Sequence, residues 1–161
     1  MNFSFLNNLP GELATFIMAM LPIAEVRVSI PMGLFVYGLP ISSALFWSLL
    51  GNLSIGFLII VLINPLASYL FSKSEFFRKF FNWIFLRTRN KFYDKYQRFG
   101  DLALVLFIAI PLPTTGIWTG SIAAWLFGIE KKKSFILVSI GAIIAAAIVS
   151  FTSLGIYILA F

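Results

Sequence analysis

Glu25 and Arg27 stand two residues apart between Pro22 and Pro31, in a run that is otherwise apolar from Leu13 to Val36. At mid-bilayer each such charge costs about 2.5 to 3.5 kcal/mol on insertion scales, against a gain of about 0.3 to 0.6 kcal/mol from each neighbouring Leu, Ile or Phe. Ionisable groups held at that expense are expected to act: Glu25 can carry a proton or a cation, and Arg27 can hold an anion. The competing reading is a neutralising pair with a structural role alone, because a buried pair often adds little net stability. The two prolines remove backbone donors and collide with the preceding turn, so Pro22 and Pro31 are expected to break the helix. On an unbroken helix residues two apart point to nearly opposite sides, whereas in unwound backbone they share one.

A second constellation is Pro111-Leu112-Pro113-Thr114-Thr115-Gly116-Ile117-Trp118-Thr119-Gly120. Pro111 and Pro113 should break a helix, and Thr114 or Thr115 can cap a half-helix beginning near Gly116, whose free amides and dipole favour an anionic group. Ordinary capping without a ligand is the alternative. The turn from Thr114 to Thr119, including Trp118, joins Glu25 and Arg27 as the candidate substrate or ion site. Asn52, one residue after Gly51 in the second apolar run, is a further candidate, although Asn52 and Asn64 in membrane helices more often serve helix contacts. Gly116, Gly120, Ala124 and Gly128 form a small-residue ridge at every fourth position, expected to permit close helix packing. Trp47, Trp118 and Trp125 belong by type to interfacial belts or core.

The elements that must position these residues follow from composition. The chain has 161 residues, 60% hydrophobic and only 11% charged, with 19 Phe. Soluble domains carry roughly 25% charge, so this is an integral membrane protein, with length for about four crossings or their equivalent in hairpins at ~20 residues each. A single all-α membrane domain, residues 1–161, is expected. No basic segment precedes a short apolar stretch and cleavage site, so no removable signal peptide is expected. Cysteine and histidine are absent, which excludes disulfides, thiolate chemistry, imidazole metal sites and a histidine base. No cofactor and no metal are expected.

Of the 12 Lys and Arg, eight lie between Lys73 and Arg98, three are Lys131 to Lys133, and the last is Arg27. Both clusters flank apolar segments, which points to a membrane surface with anionic lipids rather than to nucleic acid. The apolar stretches are Leu13 to Val36, Ile41 to Ile63, Leu102 to Ile129 and Phe135 to Phe161. If all four crossed, the two basic clusters would face opposite sides. If the first and third are re-entrant hairpins, both clusters become cytoplasmic and both termini external, as the positive-inside rule requires. Broken at their prolines, these stretches leave half-helices of about ten residues, ~15 Å long, which reach only the bilayer middle.

The halves also match. A shift of 89 residues pairs Glu12-Leu13-Ala14 with Asp101-Leu102-Ala103 and Pro22 with Pro111, and one residue of slip pairs Gly38 with Gly128 and Gly51 with Gly141. Each half (about 12–65 and 101–161) is then a hairpin plus one full crossing. A unit with one crossing repeats upside down, and such inverted repeats place substrate and coupling-ion sites where broken helices meet near the midplane. Between the halves, the segment 66–100 interleaves Phe76, Phe77, Phe80, Phe81 and Trp83 with Lys73, Arg78, Lys79 and Arg87. That pattern predicts a basic amphipathic helix on the cytoplasmic interface.

The motifs Glu25-Val26-Arg27-Val28-Ser29-Ile30-Pro31 and Ile110 to Gly120 resemble the two signatures of the small multidrug export protein family, and the resemblance covers almost the whole chain. Val28 and Thr114 stand where that family usually has glycine. More distantly the layout is similar to the DedA and VTT-domain membrane proteins. That likeness implies two opposed re-entrant hairpins and translocation of lipids or lipid-carrier phosphates. The expected function is proton-coupled secondary transport, through Glu25, of a small or amphipathic substrate across the cytoplasmic (inner) membrane. The alternatives are a flippase of lipid-linked phosphate held by Arg27 and the half-helix ends, and a scaffold or assembly factor that transports nothing. No nucleotide-binding loop is present, and one embedded acid without histidine or cysteine makes no catalytic pair, so an enzyme is not expected. Two full crossings shield a polar midplane site poorly, which favours a homodimer.

Overall fold

A computed structural model of the chain describes residues 9–73, 79, 83, 86, 100–110 and 115–160. Every regular element among them is an α-helix: α1 (Gly11–Met20), α2 (Glu25–Phe35), α3 (Ile41–Lys73), α4 (Asp101–Ala109), α5 (Ile117–Leu126) and α6 (Lys131–Ala160). The order is short, short, long, and then the same again. The short helices have 9 to 11 residues, about 15 Å of rise and half of the ~30 Å hydrocarbon layer. By contrast α3 and α6 contain Ile41–Ala67 and Lys131–Ile156, each long and apolar enough to cross a membrane. Phe46, Phe57 and Leu62 on α3, and Ile143, Phe151 and Ile156 on α6, are exposed. Apolar side chains so arrayed along a spanning helix suit hydrocarbon rather than water. The protein is an all-helical membrane protein.

Proline ends the first short helix of each half through the residue before it, which is biased to extended backbone. Leu21, before Pro22, closes α1 with ψ 137°, and Ile110, before Pro111, closes α4 with ψ 116°. In the first half the chain then reverses: Gly11 meets Tyr37 and Thr15 meets Gly33, so α1 and α2 lie antiparallel. In the second half Ile108 of α4 lies against Gly120 of α5.

Pro31 does not break the chain as expected. It lies inside α2, which continues to Phe35. Its missing N–H leaves the Arg27 carbonyl without the usual helical donor, but α1, α3 and α6 all pack on α2 and hold it in shape. Likewise α3 runs through Pro65 to Lys73, so the first eight residues of the expected interfacial segment, 66–73, belong to the long helix. Most of 74–99 lies outside the described residues. Lys79, Trp83 and Leu86 are helical and exposed.

Packing pairs the elements in parallel fashion: α1 runs along α3 and α4 along α6, while α2 and α5 each touch both long helices. A Cβ on Gly51 would strike the Phe16 carbonyl oxygen and come within 3.1 Å of Ala19 Cβ. A Cβ on Gly141 would come within 3.0 Å of the Val105 carbonyl oxygen and 2.7 Å of Ile108 Cβ. Phe16 and Ala19 precede Val105 and Ile108 by 89 positions, and Gly51 precedes Gly141 by 90. The glycines therefore let α1 approach α3, and α4 approach α6, closely.

Candidate functional site

The two chain breaks meet, and Glu25 is where they do so. It opens α2 with φ 45°, the single non-glycine positive φ among the described residues, a conformation that costs an L-residue about 1 to 2 kcal/mol. The left-handed turn swings its carboxylate out of the first hairpin and onto the start of α5. There the Trp118 N–H donates to Glu25 Oε1 over 3.3 Å. The half-helix N-terminus anticipated as an anion site thus already holds an anion, supplied by the other half of the chain.

Gly116 makes this approach possible. Its φ of 132° lies in the range that favours glycine, and a Cβ there would overlap the Glu25 carboxylate. It was expected in a packing ridge. It serves the site instead, because the space beside it is filled by a side chain from the opposite break. Gly120 does pack closely, against Ile108. Gly128 does not: at φ 67° it has nothing near its Cβ direction and ends α5, with Gly128 N–H donating to Trp125 O and Ile129 N–H to Ala124 O, a Schellman closure.

Arg27, the third residue of α2, reaches the same break from the other side. Its Nη2 donates to the Thr115 carbonyl oxygen over 2.5 Å and to Thr115 Oγ1 over 2.9 Å, and stands 4.0 Å from Glu25 Oε2. Thr115 Oγ1 in turn donates to Ile110 O, at the C-terminal end of α4, over 2.8 Å. The guanidinium is thereby placed at the negative end of one half-helix and the carboxylate at the positive end of the next, the arrangement the helix dipoles favour. Thr115 was a candidate cap for α5, but no described side chain of this segment caps it. The Thr115 hydroxyl is committed to α4 and Arg27.

The interlock has a second strand. Trp118 Nε1 donates to the Met20 carbonyl oxygen over 3.0 Å, satisfying the end of α1. Glu25 therefore serves the helix that starts after the second break, and Trp118 the helix that ends at the first. Glu25 is 4% exposed, and 20% of the Arg27 side chain is accessible. Among the described residues Thr119 bonds its own turn, Oγ1 to Gly116 O at 3.4 Å. Asn52 is 1% exposed, and its Oδ1 has no partner among the described residues; one turn away on α3, Ser48 accepts a hydrogen bond from Ser29 Oγ at 2.9 Å. Asn52 thus continues a buried polar stripe and makes no described contact with the charged pair. Pro111, Pro113 and Thr114 lie outside the described residues. The signal that sequence reading missed is the Ser29–Ser48 contact, visible there only as serines on apolar helices.

Beside Trp118 runs an apolar groove of about 400 Å³. Leu58, Ile59, Leu62 and Leu66 of α3 line it with Trp118 and Ile122 of α5.

The model of the family described as "Putative small multi-drug export protein" matches residues 25–148, from Glu25 itself through both breaks and into α6. The chain belongs to that family. In this small multi-drug export family member the matched span begins at the acid and contains each residue of the interlock except Met20, which contributes only a backbone carbonyl. Neither a curated protein nor a solved structure matches the chain.

Proposed function

We propose that the protein is a secondary transporter of a small amphipathic substrate, coupled to protons at Glu25, with α1–α2 and α4–α5 as opposed re-entrant hairpins of an inverted repeat. The observation that carries the reading is the Glu25 carboxylate seated on the N-terminus of α5 at 3.3 Å from the Trp118 amide nitrogen. One carboxylate there balances both the half-helix dipole and Arg27. Protonating it removes the charge that holds the two breaks together, so a proton or a substrate cation exchanging at Glu25 would loosen the contact between hairpins. The groove beside Trp118 would take the apolar part of the substrate while its polar group meets the pair. The equivalent seats of α1 on Gly51 and α4 on Gly141 support the repeat. With α3 and α6 as the two crossings of a cytoplasmic membrane, Lys73 to Arg98 and Lys131 to Lys133 both face the cytoplasm and anionic lipid. The reading assigns the protein no enzymatic reaction.

A flippase of lipid-linked phosphate, the function that a DedA-like layout implies, is the second reading. One observation favours it: the groove would hold an acyl chain with its headgroup beside Arg27. In that case the substrate phosphate must displace Glu25 from α5. Reconstituted vesicles separate the two. Glu25→Gln keeps an oxygen to accept from Trp118 N–H but cannot exchange a proton, so substrate-driven proton flux should vanish while the fold persists. Arg27→Lys should preserve cation transport and abolish lipid-phosphate translocation, because a point ammonium replaces a planar fork. Normal proton-coupled flux in Glu25→Gln would refute the proposal. A double apolar replacement that accumulates and still transports would leave the pair a structural device.

A further inference from the structure

A second cavity, of about 390 Å³, lies at the corner where α5 turns into α6. Its polar wall comes from Asn64 of α3, Ser121 and Trp125 of α5, and Glu130, Lys131 and Ser134 at the turn. It belongs to a different place from the charged pair, and nothing in the transport reading uses it.

The first half of the chain supplies an internal control. The matching corner, between α2 and α3, also turns on a glycine with left-handed backbone, Gly38 at φ 63° against Gly128 at φ 67°. It too encloses a cavity, about 280 Å³, but the lining is Leu34, Gly38, Leu39, Pro40, Ile41 and Leu154. Offset by 90, Pro40 corresponds to Glu130, Ile41 to Lys131, and Leu154 to Asn64. The corner can therefore be built from apolar residues. Its polar lining in the second half is not required by the turn.

That lining includes an uncommitted buried group. Ser121 is 0% exposed, and its Oγ has no hydrogen-bond partner among the described residues. An unpartnered buried hydroxyl loses its solvation for nothing, which makes a missing partner the physical expectation. Asn64 Oδ1 accepts from Trp125 Nε1, and because indole N–H only donates, the Asn64 amide nitrogen is left with both its donors. Ser134 Oγ donates to Ile129 O over 3.1 Å and keeps its lone pairs. Lys131 begins a 30-residue helix, whose first amides favour an anion. Glu130, beside it, favours a cation.

We infer that this corner binds a phosphate that carries an amine in the same molecule, as in a phosphoethanolamine headgroup. The phosphate lies against Lys131, the opening amides of α6, the Asn64 amide and the Ser121 hydroxyl, and the ammonium against Glu130. A purely anionic group would meet Glu130 as a like charge. Trp125 and the three lysines place the corner at headgroup depth, where such lipids are at hand.

Native mass spectrometry on the purified full chain tests this with phosphatidylethanolamine, phosphatidylglycerol and water-soluble phosphoethanolamine as probes. Phosphatidylethanolamine should bind on the order of tenfold tighter than phosphatidylglycerol, and Lys131→Gln and Glu130→Gln should each remove a similar factor, as loss of a charge-assisted hydrogen bond does. Ser121→Ala should weaken binding severalfold while its lipid-free melting temperature is unchanged or raised, since it deletes an unsatisfied polar atom. Lys132→Gln, which changes an exposed lysine outside the lining, should bind as the parent does. Binding of the soluble probe as tight as the lipid would assign the site to a free phosphoamine, and lipid binding alone would assign it to the bilayer; either supports the headgroup chemistry. Equal affinity for both lipids, equal losses in Lys131→Gln and Lys132→Gln, or undiminished affinity in Ser121→Ala would overturn it.

Discussion

Replacing Gly116 by alanine probes the interlock at its tightest point. The new Cβ would overlap the Glu25 carboxylate, and the backbone at φ 132°, ψ −163° lies in a region that only glycine occupies freely, a penalty of about 1 to 3 kcal/mol for any other residue. Displacing the carboxylate also forfeits its hydrogen bond from the Trp118 amide, and a bond to a charged group contributes about 1.5 to 3 kcal/mol. Gly116→Ala should therefore destabilise the protein by about 2.5 to 6 kcal/mol in all, a large fraction of a typical folding free energy. The two contributions separate in a double-mutant cycle with Glu25→Ala, which removes the carboxylate that the methyl strikes. In that background Gly116→Ala should cost only the backbone part, leaving a coupling of about 1.5 to 3 kcal/mol. Unfolding of purified protein in mixed micelles, followed by tryptophan fluorescence, measures all four corners. A coupling near zero would mean that Gly116 is kept for its backbone alone and that Glu25 does not hold the two hairpins together.

Arg27→Ala should lower folded abundance at a cost of about 3 to 5 kcal/mol, because it leaves Glu25 buried without its cation, while replacing both by apolar residues restores abundance; expression in membranes and melting in detergent check both. Single cysteines placed at Asn90 and Lys132 of this cysteine-free chain should label from the same side of sealed vesicles, and labelling from opposite sides would refute the re-entrant arrangement. Asn52→Leu should leave stability unchanged or raise it by about 1 kcal/mol, since it removes a buried carbonyl oxygen without a partner among the described residues, at similar volume; a loss on the same scale in a thermal melt would show that Oδ1 is engaged by a bound group.

By itself the sequence determined the membrane class and the local breaks that set short helices beside long ones. Hydrophobic runs of one or two helix lengths, and prolines that bias the residue before them, act locally and can be read locally. The breaks after Leu21 and Ile110 and the long helices α3 and α6 follow from such signals. Pro31, expected to break its helix, does not: a proline's local penalty is fixed, but neighbouring helices decide whether the backbone breaks. Only the tertiary structure decided what the central residues do to one another. Glu25 and Trp118 are 93 positions apart, and each satisfies the helix end created by the other's break. Thr115 serves Arg27 and α4 rather than capping α5, and Gly116 admits a carboxylate rather than a helix. Such assignments depend on which donors and acceptors long-range packing brings within 3 to 4 Å, and spacing along one chain carries no record of that distance.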